Sequence, residues 1–123
     1  MTRILIVEDD AAIRRLAHDL LVDEGFEVFL AETGEDGLAA LGEHEPNLVL
    51  LDLMMPLMDG PTFATEMERR QHDVPIVVLS GSRDIHEIAS SMGAAGAILK
   101  PFDIEEFVSA VRRALDPERS AAG

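Results

Sequence analysis

Leu48-Val49-Leu50-Leu51-Asp52 is an unbroken apolar run that ends on an acid, and its reading decides the fold. A strand buried on one face alternates apolar and polar side chains, whereas a strand covered on both faces, as in a parallel sheet, is apolar throughout. Ile4 to Val7, Ile76 to Leu79 and Ala97 to Leu99 have the same character, so all four are expected to be strands covered on both faces. Phe26 to Ala31 is a fifth, weaker run.

Working outward, the segments between these runs carry helical spacing. Ile13, Leu16, Leu20 and Leu21 mark the first, Leu38 and Leu41 the second, and Phe63 and Met67 the third. Ile85, Ile88 and Met92 mark the fourth, and Ile104, Phe107, Val108, Val111 and Leu115 the last. Gly25 is placed to close the first helix, Thr33 to cap the second, and Pro61 to occupy the first turn of the third. Asp103 with Glu106 three residues on forms a capping box for the fifth. Five strand–helix pairs joined by short connections imply an α/β domain, doubly wound, with a five-stranded parallel sheet between two helical layers and right-handed crossovers.

Composition bounds the function. A chain of 123 residues that is 47% hydrophobic fits one domain with a real core. The absence of cysteine excludes disulfides, thiolate metal sites and cysteine nucleophiles, and suits a reducing cytoplasm. No apolar run is long enough to span a bilayer, and Met1-Thr2-Arg3 leads straight into a strand rather than a signal peptide. A formal charge of -14, from 24 acids against 10 bases, disfavours direct nucleic-acid binding. Most of that acidity reads as solvated surface. Lys100, the only lysine, stands apart because it lies between an apolar run and a proline.

In an open parallel sheet the ligand site lies beyond the carboxyl ends of the strands, so the residues that follow each run carry the chemistry. Glu8, Asp9 and Asp10 follow the first strand, Asp52 ends the third, Ser80-Gly81-Ser82 follow the fourth and Lys100 the fifth. Each has a plainer reading: Asp10 before Ala11-Ala12-Ile13 as a helix cap, Asp52 as a turn former, the serines as a loop, Lys100 as a surface charge. Their convergence on one sheet edge argues for a site. Clustered carboxylates call for a cation, and an all-oxygen donor set calls for a hard one such as Mg²⁺. Phosphoryl transfer needs an acceptor and charge stabilisation, which Asp52 with Lys100 and Ser80 can supply.

Across nearly its whole length the sequence resembles the receiver domains of bacterial two-component response regulators. The resemblance rests on Ile4-Leu5-Ile6-Val7-Glu8-Asp9-Asp10, on Leu50-Leu51-Asp52-Leu53-Met54-Met55-Pro56 with Asp59-Gly60, on Val78-Leu79-Ser80, and on Gly93-Ala94-Ala95-Gly96-Ala97 running into Lys100-Pro101-Phe102. It implies a flavodoxin-like sandwich with strand order 2-1-3-4-5, a receiver domain over residues 1–116 and a short polar tail over 117–123. It implies phosphorylation on Asp52 from a phosphohistidine donor. Mg²⁺ would be held by Asp9 and Asp52 directly, by Glu8 through water and by the backbone carbonyl of Met54. Ser80 would be the switch hydroxyl and Lys100 its partner at the phosphoryl group, with a cis bond between Lys100 and Pro101.

One position departs from that pattern. Receivers usually carry an aromatic ring on the last strand, and this chain has Ala97 there, so any activated state is expected to be read out by the loop after Ser80 and the Ile85 to Met92 helix. The fourth helix and last strand also lack the charged pattern of regulators that dimerise on DNA, and a single-domain protein is expected. The implied partners are a sensor histidine kinase or a histidine phosphotransfer protein upstream and a protein target downstream. No nucleic acid, no membrane, a cytoplasmic location, and a monomer or weak dimer complete the expectation. The protein would catalyse only its own phosphorylation and dephosphorylation.

Three other readings compete. A haloacid-dehalogenase-like phosphatase wants a second acid two residues after Asp52, where Met54 stands, and leaves no room for a substrate cap. A flavin module wants loop aromatics, and the chain has neither Trp nor Tyr. A degenerate, non-phosphorylated receiver acting as an interaction module would lack the acceptor, an acid or the lysine, and all are present.

Overall fold

The computed structural model describes residues 1–116; the polar tail expected over 117–123 lies outside the described residues. The chain runs β1 (Arg3–Val7), α1 (Ala11–Asp23), β2 (Glu27–Ala31), α2 (Gly34–His44), β3 (Leu48–Asp52), α3 (Gly60–Arg69), β4 (Ile76–Ser80), α4 (Ile85–Met92), β5 (Gly96–Leu99) and α5 (Ile104–Leu115). All strands are parallel, in the order β2-β1-β3-β4-β5. The flavodoxin-like, doubly wound fold read from the sequence is therefore the fold of the protein. The chain reverses its direction of travel across the sheet between β1 and β3, which is where such folds leave a crevice at the strand ends.

The apolar strands split their side chains between two cores, because successive residues point to opposite faces. Leu5, Val7, Val49, Leu51, Ile76 and Val78 pack with Leu38 and Leu41 of α2, Phe63 and Met67 of α3, and Ile85 and Ala89 of α4. Ile4, Ile6, Leu48, Leu50, Val77, Leu79 and Ile98 pack with Ala17 and Leu21 of α1 and with Phe107, Ala110, Val111 and Ala114 of α5. Ile4 to Val7, Leu48 to Leu51 and Ile76 to Leu79 thus need apolar residues throughout, which is why these runs are unbroken.

Side-chain caps fix where α1, α2, α3 and α5 begin, and α4 has none. Asp10 accepts Ile13 N–H at 3.0 Å, Thr33 accepts Asp36 N–H at 3.0 Å, Asp59 accepts Thr62 N–H at 2.9 Å and Asp103 accepts Glu106 N–H at 2.7 Å. Each satisfies a backbone donor that a helix N-terminus leaves orphaned. Pro61 sits in the first turn of α3, and Gly25, at φ +93°, turns the chain after α1. Gly37 has a different reason to be glycine. A Cβ there would lie 2.8 Å from Val7 Cγ2 and 3.0 Å from Phe63 Cε2, so its absence lets α2 lie flat on the sheet beside α3.

Three expectations need correction. Ala97 to Leu99 is not covered on both faces: β5 is an edge strand, and Leu99 is 44% exposed. Leu16 is 49% exposed, because the buried face of α1 runs through Ile13, Ala17, Leu20 and Leu21, one position round from the spacing read. Ile104 is 61% exposed. It is the first residue of α5, and a helical side chain leans toward the N-terminus, here off the end of the packed face. No helix among the described residues is long and apolar enough to cross a membrane.

Candidate functional site

Register builds the site. Val7 pairs with Leu51, so Glu8 and Asp52 stand side by side at the carboxyl ends of β1 and β3. Glu8 is fully buried, Asp52 is nearly so, and Asp9 is exposed at the mouth. Carboxylate oxygens of these three acids all lie within 4.8 Å of one another. Asp52 pairs with Leu79 and Ser80 with Leu99, a stagger that carries the β4 and β5 ends beyond the acids. Lys100 prolongs that ladder, its N–H bonding the Ser80 carbonyl at 2.8 Å. Its side chain reaches back to place Nζ 2.8 Å from Glu8 Oε1 and 3.6 Å from Asp52 Oδ1. The bond between Lys100 and Pro101 is cis.

The remaining sequence candidates fall around this group. Asp10 is a helix cap and not a fourth acid of the cluster. Asp52 Oδ1 accepts the Met54 N–H at 3.0 Å, the local turn bond of its plainer reading; the turn and the cluster coexist on one carboxylate. Ser80 is buried at the end of β4, where its hydroxyl accepts the Ser82 N–H at 3.0 Å. Ala97 is half-buried against the core beneath α4.

Electrostatics separate the two buried acids. Loss of water and the neighbouring Asp52 carboxylate push Glu8 up to about 7, against the pull of Lys100. Burial works on Asp52 in the same direction but is outweighed by hydrogen bonds from Glu8 and the Met54 N–H and by the Lys100 charge, which hold Asp52 below the usual carboxylate range. Of the two, Asp52 is the acid whose ionised form the site favours, and Glu8 the one whose ionised form it disfavours. Asp52 stays ionised, and only the ionised form is a nucleophile. Glu8, Asp9 and Asp52 offer hard oxygen donors and no softer ones, a set that fits a small divalent cation such as Mg²⁺.

Sequence reasoning missed Arg14. Its guanidinium Nη1 donates to the carbonyls of Glu8 at 2.8 Å and Asp9 at 3.3 Å, while Nη2 pairs with Glu32 at 3.3 Å. The available signal was a cationic residue one turn into the helix that follows the acid pair.

An open parallel sheet with acids and one lysine gathered at its carboxyl edge defines a class of α/β domain that handles charged ligands at the strand ends. The family model of the response regulator receiver domain matches residues 4–112, and the chain belongs to that family. It is similar to the transcriptional regulatory protein PcoR of Escherichia coli, 35% identical over 124 residues that cover 99% of this chain and 55% of that one. It is also similar to the response regulator ArlR of Staphylococcus aureus, 35% identical over 117 residues that cover 94% of this chain and 53% of that one. The chain spans about half the length of the curated relatives it matches. Among solved structures, the chemotaxis response regulator CheY4 of Vibrio cholerae matches with a TM-score of 0.86 at 28% identity, covering 94% of this chain and 99% of that one. NtrX from Brucella abortus matches with a TM-score of 0.88 at 31% identity, covering 99% of this chain and 28% of that one.

Proposed function

We propose that the domain is a phospho-accepting switch in which Asp52 takes a phosphoryl group from a phosphohistidine donor. The observation that carries this reading is the setting of Asp52: a nearly buried carboxylate with an ammonium 3.6 Å away and two more acids beside it. In the transfer a bond forms between an Asp52 carboxylate oxygen and phosphorus as the phosphorus–nitrogen bond of the donor breaks, and the departing imidazole takes its proton from solvent. Lys100 and the Ser80 hydroxyl supply charge and hydrogen bonds to the phosphoryl oxygens, Ser80 by leaving the Ser82 N–H. Asp9, Asp52 and the Met54 carbonyl would hold Mg²⁺ directly and Glu8 through water. Bound there, the ion would neutralise charge developing on the transferred group. The protein catalyses only its own phosphorylation and dephosphorylation.

Incubation with Mg²⁺ and a small phosphoryl donor such as acetyl phosphate tests the reading directly. One added phosphoryl group by intact mass, lost when Mg²⁺ is chelated, is the expected result. No mass change with donor and Mg²⁺ both present would sink it in favour of a degenerate receiver.

The Glu8 proton gives the site a pH dependence. Glu8 in the metal-free protein titrates near 7, above its ordinary value, so the site gains a proton as pH falls through that value. Cation binding needs the acids ionised and must expel the proton. Mg²⁺ affinity is therefore expected to weaken by up to about tenfold per pH unit below about 7 and to level off above it. Titration calorimetry at several pH values measures this; an affinity flat across that window would show that Glu8 is already ionised.

Upstream, the chemistry calls for a sensor histidine kinase or a histidine phosphotransfer protein. Downstream it calls for a protein target, met by a cytoplasmic monomer or weak dimer without direct nucleic-acid contact. With Ala97 in place of a ring, the altered surface is the loop after Ser80 together with α4.

A further inference from the structure

We propose that Arg14 is a positioning residue for the acid pair, holding Glu8 and Asp9 by their backbone carbonyls so that both carboxylates are preset for a cation. This rests on the Mg²⁺ site proposed above. The guanidinium lies in the first turn of α1, and its side chain is only 15% exposed, an unusual position for a charge unless it has fixed partners. Those partners are the carbonyl oxygens of consecutive residues, Glu8 and Asp9, at 2.8 and 3.3 Å. Both belong to the stretch between the end of β1 and the cap of α1, which neither strand nor helix makes rigid. Glu32, just past β2, holds the other arm of the fork at 3.3 Å. The Glu8 N–H bonds the Ala31 carbonyl at 3.0 Å, so Glu8 is tied to the end of β2 on its N–H side and through Arg14 on its carbonyl side.

The guanidinium acts here through shape. A planar fork fixes two directions at once, here Nη1 on the two carbonyls and Nη2 on Glu32, which a lysine ammonium on a flexible stem does not. Groups that orient metal ligands without touching the metal characteristically change affinity by 10- to 100-fold when removed. A second effect has the opposite sign. A cation close to the acids repels an incoming Mg²⁺, so if Arg14 acted only through its charge, removing it would tighten binding.

The sign of the change decides between the two. Mg²⁺ binding is measured by calorimetry and by the amide shifts of Glu8, Asp9 and Asp52 in the native protein, Arg14→Ala, Arg14→Lys and Glu32→Gln. The expected result is binding weakened about tenfold in Arg14→Ala, no recovery in Arg14→Lys, and a smaller weakening in Glu32→Gln. Glu32 is 71% exposed at its side chain, so Glu32→Gln folds and keeps the test decisive if Arg14→Ala does not. Unchanged or tighter binding in Arg14→Ala, or in Glu32→Gln where Arg14→Ala does not fold, overturns the positioning role, and full recovery in Arg14→Lys overturns the fork. If the native protein binds no Mg²⁺, the metal site itself fails and this role with it.

Discussion

Asp52→Asn is expected to take up no phosphoryl group from any donor while folding as well as the native chain. An amide oxygen lacks the charge that makes the carboxylate a nucleophile, yet it can still accept the Met54 N–H that Asp52 accepts at 3.0 Å. The substitution also removes a buried carboxylate, whose desolvation is costly, and with it the push that this charge exerts on Glu8. Without Mg²⁺ the variant should unfold at a temperature no lower than the native protein, by circular dichroism. Its stabilisation by Mg²⁺, which follows the logarithm of ligand concentration over dissociation constant, should shrink or vanish. Undiminished phosphorylation of the variant would move the acceptor elsewhere, and a markedly lower unfolding temperature would make Asp52 a structural residue first.

Phe107→Ala is expected to be the most damaging single truncation in the helical layer of α1 and α5. Phe107 is fully buried, stacked on Phe102 with ring centroids 5.0 Å apart, and surrounded by Leu21, Val111 and the inner face of the sheet. Emptying such a position costs about 3–5 kcal/mol, transfer and cavity terms together, a large part of the ~5–15 kcal/mol that holds a typical domain folded. Urea unfolding followed by circular dichroism measures the loss. Where the variant stays folded, Asp52 should still be phosphorylated, because Glu8, Asp9, Asp52, Ser80 and Lys100 are all unaltered. A loss under about 1 kcal/mol would mean that the layer repacks around the gap.

Burial on both faces leaves a mark in the sequence, and burial on one and a half does not. β1, β3 and β4 were legible because every residue between their polar ends, Arg3, Asp52 and Ser80, had to be apolar. The same rule overstated β5, whose edge position turns Leu99 toward solvent, and read β2 only weakly. Helix spacing located all five helices, yet Leu16 and Ile104 show its limit: periodicity gives an apolar stripe to within about one residue and says nothing of where the neighbouring layer ends.

The acid cluster was legible for a topological reason. Once the strands are parallel, the residues after Val7, Leu51 and Leu99 must meet at one edge, and only register remains to be known. Arg14 was hidden because its work is done through main-chain carbonyls, which carry no residue identity. Gly37 was hidden as well, its reason being the space taken by Val7 and Phe63, far away in sequence. The opposite pulls on Glu8 and Asp52, one pushed up and one held down, also needed coordinates, because both read as acids at strand ends.

The most direct test of the account is to find the phosphoryl group. An aspartyl phosphate is an acyl phosphate that borohydride reduces to homoserine, so reduction of the phosphorylated protein and peptide sequencing by mass spectrometry locate the acceptor. Homoserine is expected at position 52, with none at Asp9 and no 5-hydroxynorvaline at Glu8. An intact aspartate at position 52, with reduction product on a neighbouring acid or stable phosphate on Ser80, would contradict it.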